Sequence, residues 1–65
     1  MCLLKVYLDD VGGRKLIATD VALIIHEGDG FRLRFLESGR DILLRKVILQ
    51  FLDALNSLIV FKPSE

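Results

Sequence analysis

Sixty-five residues leave room for one domain, spanning 1–65, and no second one. Hydrophobic residues make up 52% of the chain and charged residues 28%, a balance that excludes a disordered polymer. Nine Lys and Arg offset nine Asp and Glu, so the basic excess of a protein built to hold phosphates is absent.

Read with a period of two, residues 2–8 place Cys2, Leu4, Val6 and Leu8 on one face of a strand and Leu3, Lys5 and Tyr7 on the other. Residues 9–14 carry turn chemistry, because the Gly12-Gly13 pair tolerates positive φ. A short strand follows at 15–19, and Asp20 marks a kink or turn. Five of the six residues from Val21 to His26 are apolar, which predicts a strand covered on both faces. Glu27-Gly28-Asp29-Gly30 is the clearest turn, with Asp-Gly in the order that hairpins favour. Strict alternation in Phe31-Arg32-Leu33-Arg34-Phe35 puts the aromatics and Leu33 inside and both arginines in water. Residues 37–40 turn the chain again.

Residues 41–56 carry two incompatible patterns. On a helical wheel Asp41, Arg45, Lys46, Gln50, Asp53 and Asn56 fall within one half of the circle, as in an amphipathic helix capped by Asp41 and Asn56. Ile42 and Leu49 interrupt that polar arc, and β-branched Ile42, Val47 and Ile48 suit a pleated surface. A terminal strand at 57–61 ends before Pro63. The fold expected is an all-β barrel or sandwich of about six short antiparallel strands, with 41–56 either helical or extended.

The apolar surface that a chain of this size can bury is worth on the order of 100 kcal/mol. Ordering the chain costs about 100 kcal/mol as well. With a single cysteine no intramolecular disulfide adds to the balance, so the apolar excess predicts surface shared between subunits and hence a homodimer. No charge-free stretch approaches the roughly 18 apolar residues of a membrane span. The first five residues lack the pattern of a secretory signal, so a cytoplasmic protein is expected.

Cys2 is the residue with distinctive chemistry. It is either a small buried hydrophobe in phase with Leu4 and Val6 or a reactive or ligating thiol. With Met1 retained, the terminal amine, the Cys2 amide nitrogen and the Cys2 sulfur close two fused five-membered chelate rings on one ion. With Met1 removed, the amine and thiolate of Cys2 close one ring. Such a tetragonal N/S donor set suits Ni²⁺ or Cu²⁺, and the nearby positive amine favours the thiolate. One cysteine does not complete a site, whereas two chains meeting near a two-fold axis supply two thiolates.

The opening Met1-Cys2-Leu3-Leu4-Lys5-Val6-Tyr7-Leu8 resembles the start of the small CooT-type nickel-binding proteins. Asp20-Val21, Glu27-Gly28-Asp29-Gly30, Asp53-Ala54-Leu55-Asn56 and Leu58-Ile59-Val60 agree in order along the chain. The resemblance implies a compact β-barrel-like dimer that binds Ni²⁺ through Cys2. Its implied role is intracellular nickel delivery, toward carbon monoxide dehydrogenase maturation, and its implied last element is a β-hairpin whose turn carries Asp53 and Asn56. The apolar character of 42–52, including Phe51-Leu52 before Asp53, departs from that pattern. The HypC-type hydrogenase maturation chaperones also begin Met-Cys, but they carry a proline soon after the cysteine, where this chain has Val6.

Other residues offer weaker chemistry. His26, the only histidine, stands before a turn and is a further candidate nickel ligand. Asp9 and Asp10 offer hard oxygen donors and read mainly as turn residues. Arg32 and Arg34 support an alternative reading as a small RNA-binding module with a basic sheet face. Alternation nevertheless separates these arginines from the aromatics needed for stacking. Neither glycine cluster has the context of a phosphate loop, and Ser38 and Ser57 lack a nucleophile setting, so a non-enzyme is expected.

Overall fold

The computed structural model describes residues 2–37 and 39–65. Six strands follow in chain order: β1 (Leu4–Asp10), β2 (Gly13–Glu27), β3 (Gly30–Phe35), β4 (Asp41–Leu44), β5 (Val47–Asp53) and β6 (Leu58–Pro63). They form one sheet in the order β4-β3-β2-β1-β6-β5. Every neighbouring pair is antiparallel except β1 and β6, which run parallel with Lys5 opposite Leu58 and Leu8 opposite Phe61. The expected all-β class is therefore observed, with one parallel pair among the antiparallel ones.

The sheet curls because β2 bends. Its first half pairs with β1 and its second half with β3, and Asp20 sits at the change with a φ of 58°. It falls within the register shift opposite Leu4 and Val6 of β1, and a further shift follows between Val21 and Leu23 on β2. Bulges of this kind bend a strand and raise its twist. The strand and kink expected at 15–26 are thus one continuous bent strand. The curl brings the start of β5 to the β2–β3 turn, where the Val47 N–H donates to the Asp29 carbonyl at 3.3 Å. A half-barrel results.

Its concave side holds the core. Val6, Ala18, Val21, Leu33, Val47, Ile59 and Phe61 are buried there, with Leu4, Leu8, Ile24, Phe31 and Ile42 among those packed around them. The alternation expected for β3 holds: Leu33 is buried, Phe31 and Phe35 pack against the core, and Arg34 is exposed. The expectation that 21–26 is covered on both faces does not hold. Leu23, opposite Arg34, is exposed because no second layer covers the convex side of β2, and His26, opposite Phe31 on the concave side, is exposed at the end of the strand.

Residues 41–56 are extended rather than helical. Lys46 adopts a φ of 58°, which would break a helix, and joins β4 to β5. Ile42 faces Leu33 on β3, and Leu49 faces Phe61 on β6, so the two residues that spoiled the helical wheel take their places by strand register. Asp41 and Asn56 cap no helix: Asp41 pairs with Arg34, and Asn56 lies in the β5–β6 turn. The chain after β4 passes tightly over Gly30, where a Cβ would lie 1.8 Å from the Leu44 carbonyl oxygen.

Candidate metal centre

Cys2 lies two residues ahead of β1, at the end of the sheet formed by the β5–β6 turn. The Lys5 N–H donates to the Ser57 carbonyl at 3.0 Å, tying the front of β1 to that turn, and the Lys5 Nζ donates to the Asn56 carbonyl at 3.5 Å. The innermost layer at this end is Leu4 opposite Val21. Cys2 overhangs it, so although its position is in phase with Leu4 and Val6, its thiol is free and exposed. The alternative of Cys2 as a buried hydrophobe is therefore not what the fold produces. Met1, whose amine is the other expected donor, lies outside the described residues.

The β5–β6 turn beside it is rigidly built. Asp53 accepts from the Asn56 backbone N–H at 3.1 Å and from Asn56 Nδ2 at 2.9 Å. The Asn56 side chain, and then its backbone N–H, hold the Asp53 carboxyl below the usual carboxylate range. This is the hairpin with Asp and Asn in its turn that the resemblance implied.

His26 is held elsewhere. Its ring lies 5.0 Å from that of Phe31, which lies 4.8 Å from that of Phe61. Phe61 is level with Leu8, six positions along β1 from Cys2. Within one chain the two candidate ligands thus belong to opposite ends of β1. Among the described residues no three His, Cys, Asp or Glu side chains converge on a common metal position. Asp9 and Asp10 are committed to their turn: Asp9 receives Arg14 at 2.7 and 2.9 Å, and Asp10 receives the Gly12 N–H at 2.8 Å.

Arg32 and Arg34 project from the convex side, and both meet carboxylates. Arg32 reaches Glu27 at 3.0 Å and Asp41 at 3.7 Å, and Arg34 reaches Asp41 at 3.4 Å. Arg14 and Arg45 are likewise paired, with Asp9 and Asp29. The aromatics of β3 pack against the core, away from the arginines.

One feature escaped the reading of the sequence. Ile48, Leu49, Phe51 and Leu52 lie on an outermost strand and are all substantially exposed. Its signal was the unbroken run without charge from Val47 to Leu52. No family model matches the chain, and no curated protein matches it either.

Proposed function

We propose that this protein is a nickel-binding accessory protein, with Ni²⁺ as its cargo and Cys2 as the anchoring ligand. The exposed thiol next to the amino terminus carries the reading. Cys2 precedes the first strand, so its amide nitrogen lies outside the sheet ladder. The Cys2 thiolate, the Cys2 amide nitrogen and the Met1 amine then supply the fused chelate rings, a donor set that fits a tetragonal Ni²⁺. An exposed site suits a carrier, which must release its ion to a recipient, and the resemblance to CooT-type proteins makes carbon monoxide dehydrogenase maturation or general intracellular nickel delivery that role. The working unit is a homodimer. His26 is left out of the same chain's site, because its ring cluster with Phe31 and Phe61 is level with Leu8, at the other end of β1 from Cys2.

The RNA-binding alternative rests on Arg32 and Arg34, whose guanidinium groups are already engaged by Glu27 and Asp41. Displacing those carboxylates opposes phosphate binding, and the nickel reading is preferred. A titration with Ni²⁺ under reducing conditions tests it: a thiolate-to-nickel charge-transfer band is expected in the wild type and none in Cys2→Ser.

A further inference from the structure

We infer that the free edge of β5 is the homodimer surface, pairing antiparallel with β5 of a second copy about a two-fold axis between Gln50 and Phe51. The inference gives the proposed homodimer its surface, and it is independent of the metal.

An outermost strand presents unpaired backbone groups, and proteins that stay monomeric blunt such edges with charges, proline or short length. The other edge, β4, is four residues long and carries Asp41. β5 has seven residues, with no charge before Asp53 and no proline. Its apolar side chains remain open on both faces of the sheet: Ile48 is 44%, Leu49 47%, Phe51 38% and Leu52 55% exposed. A ligand covering one face would leave the other wet, whereas an added strand extends the sheet and covers both.

The register identifies the partner as the same strand. Leu49 pairs with Phe61 and Leu52 with Ile59, so both lie on the core side. Ile48, Phe51 and Asp53 pair with Lys62, Val60 and Leu58 and lie on the convex side. The shift between Leu49 and Phe51 leaves Gln50 on the convex side too, where its Nε2 donates to Asp9 at 3.2 Å. From Ile48 to Asp53 the faces therefore read out, in, out, out, in, out, a palindrome centred between Gln50 and Phe51. A two-fold there sets Leu49 opposite Leu52 of the other copy, Gln50 opposite Phe51, and Ile48 opposite Asp53, each pair on one face. Without the bulge this symmetry would be lost.

Charge agrees with the same register. Lys46, two residues before Ile48, becomes the diagonal neighbour of Asp53 in the other copy, within reach of a long side chain. It forms none of the ion pairs among the described residues. The pairing also begins beyond Val47, whose N–H is taken by Asp29. Asp53 lies level with Leu58 and Lys5, and Cys2 lies three residues further out. At about 3.3 Å per residue the two sulfurs end more than about 30 Å apart, so this pairing does not bring the two thiolates to one ion as a site on the two-fold axis would. Each chain binds its own ion, with a donor other than the second thiolate completing the set.

The test is light scattering of wild type, Leu52→Lys and Leu16→Lys at about 100 μM, a concentration at which micromolar dimers are populated. Leu16 is an exposed apolar residue on β2, away from this edge. The expected result is a dimer for wild type and Leu16→Lys and a monomer with unchanged β circular dichroism for Leu52→Lys. A positive test in the Cys2→Ser background replaces Leu49 and Leu52 together by Cys, which should oxidise to a covalent dimer. Within one extended strand these positions are too far apart to bridge. A monomeric wild type overturns the homodimer itself. A dimer that survives Leu52→Lys, or no cross-link, overturns this surface alone. Retained Ni²⁺ uptake by the Leu52→Lys monomer, at one ion per chain, is expected, and saturation of wild type at one ion per two chains contradicts the pairing.

Discussion

The guanidinium of Arg14 lies over the ring of Phe51, 5.3 Å from its centre, while its nitrogens donate to Asp9 at 2.7 and 2.9 Å. Arg14 is on β2, Asp9 on β1 and Phe51 on β5, so this contact spans the convex side across the intervening strands β1 and β6. Val60 of β6 alternates with core residues Ile59 and Phe61, pairs with Tyr7 and Phe51, and is 0% exposed. A convex position on a single-layer sheet would ordinarily be wet. The Arg14–Phe51 bridge and Tyr7 explain why it is dry.

Val60→Ala should therefore behave as a core truncation and cost about 2 kcal/mol in denaturant unfolding. Arg14→Ala should lower the same midpoint by less, with a loss that shrinks in high salt, because its charge pair is solvent-facing. A Val60→Ala protein as stable as wild type would show that the convex side contributes no packing.

Gly28 in the β2–β3 turn and Gly30 at the start of β3 should respond very unequally to alanine. At Gly28 a Cβ meets nothing within 4 Å, and only the φ of 57° opposes it, at roughly 1–2 kcal/mol. At Gly30 a Cβ would overlap the Leu44 backbone, at 1.8 Å from its oxygen and 2.8 Å from its carbonyl carbon. Backbone there cannot rotate aside, so Gly30→Ala should detach β4 and abolish cooperative unfolding, while Gly28→Ala stays folded. Thermal melts of the two variants decide it.

Acid should loosen the turns before the core. Arg14 holds the Asp9 carboxyl low, Arg32 that of Glu27, Arg45 that of Asp29, and the Gly12 N–H that of Asp10. A carboxyl whose pKa is lower folded than unfolded stabilises the fold above its unfolded pKa and loses that contribution as pH falls through the folded value. Stability should be flat near neutrality and decline below about pH 4. In Asn56→Ala the Asp53 carboxyl should titrate at higher pH than in wild type, as followed by carboxyl NMR.

Much of the fold was legible because short-range chemistry dictates it. The turn within residues 27–30, which uses Gly28-Asp29 rather than the expected Asp29-Gly30 as its central pair, the alternation of 31–35 and the kink at Asp20 depend on residues close in the chain. Residues 41–56 were not legible, because their apolar positions satisfy either period and the decision lies with Leu33 and Phe61, far away in sequence. Cys2 followed the strand phase, yet phase does not reveal that the core ends at Leu4. The exposed face of Leu23 and the edge position of β5 follow from strand order, which pairing far along the chain determines.

The most direct measurement is a Ni²⁺ titration of the reduced full-length chain, followed by ultraviolet absorption, in wild type beside Cys2→Ser. A charge-transfer band that saturates in wild type and is missing from the serine variant is the outcome expected of a thiolate carrier. A wild type that takes up no Ni²⁺, or a serine variant that binds it equally well, contradicts the assignment of Cys2.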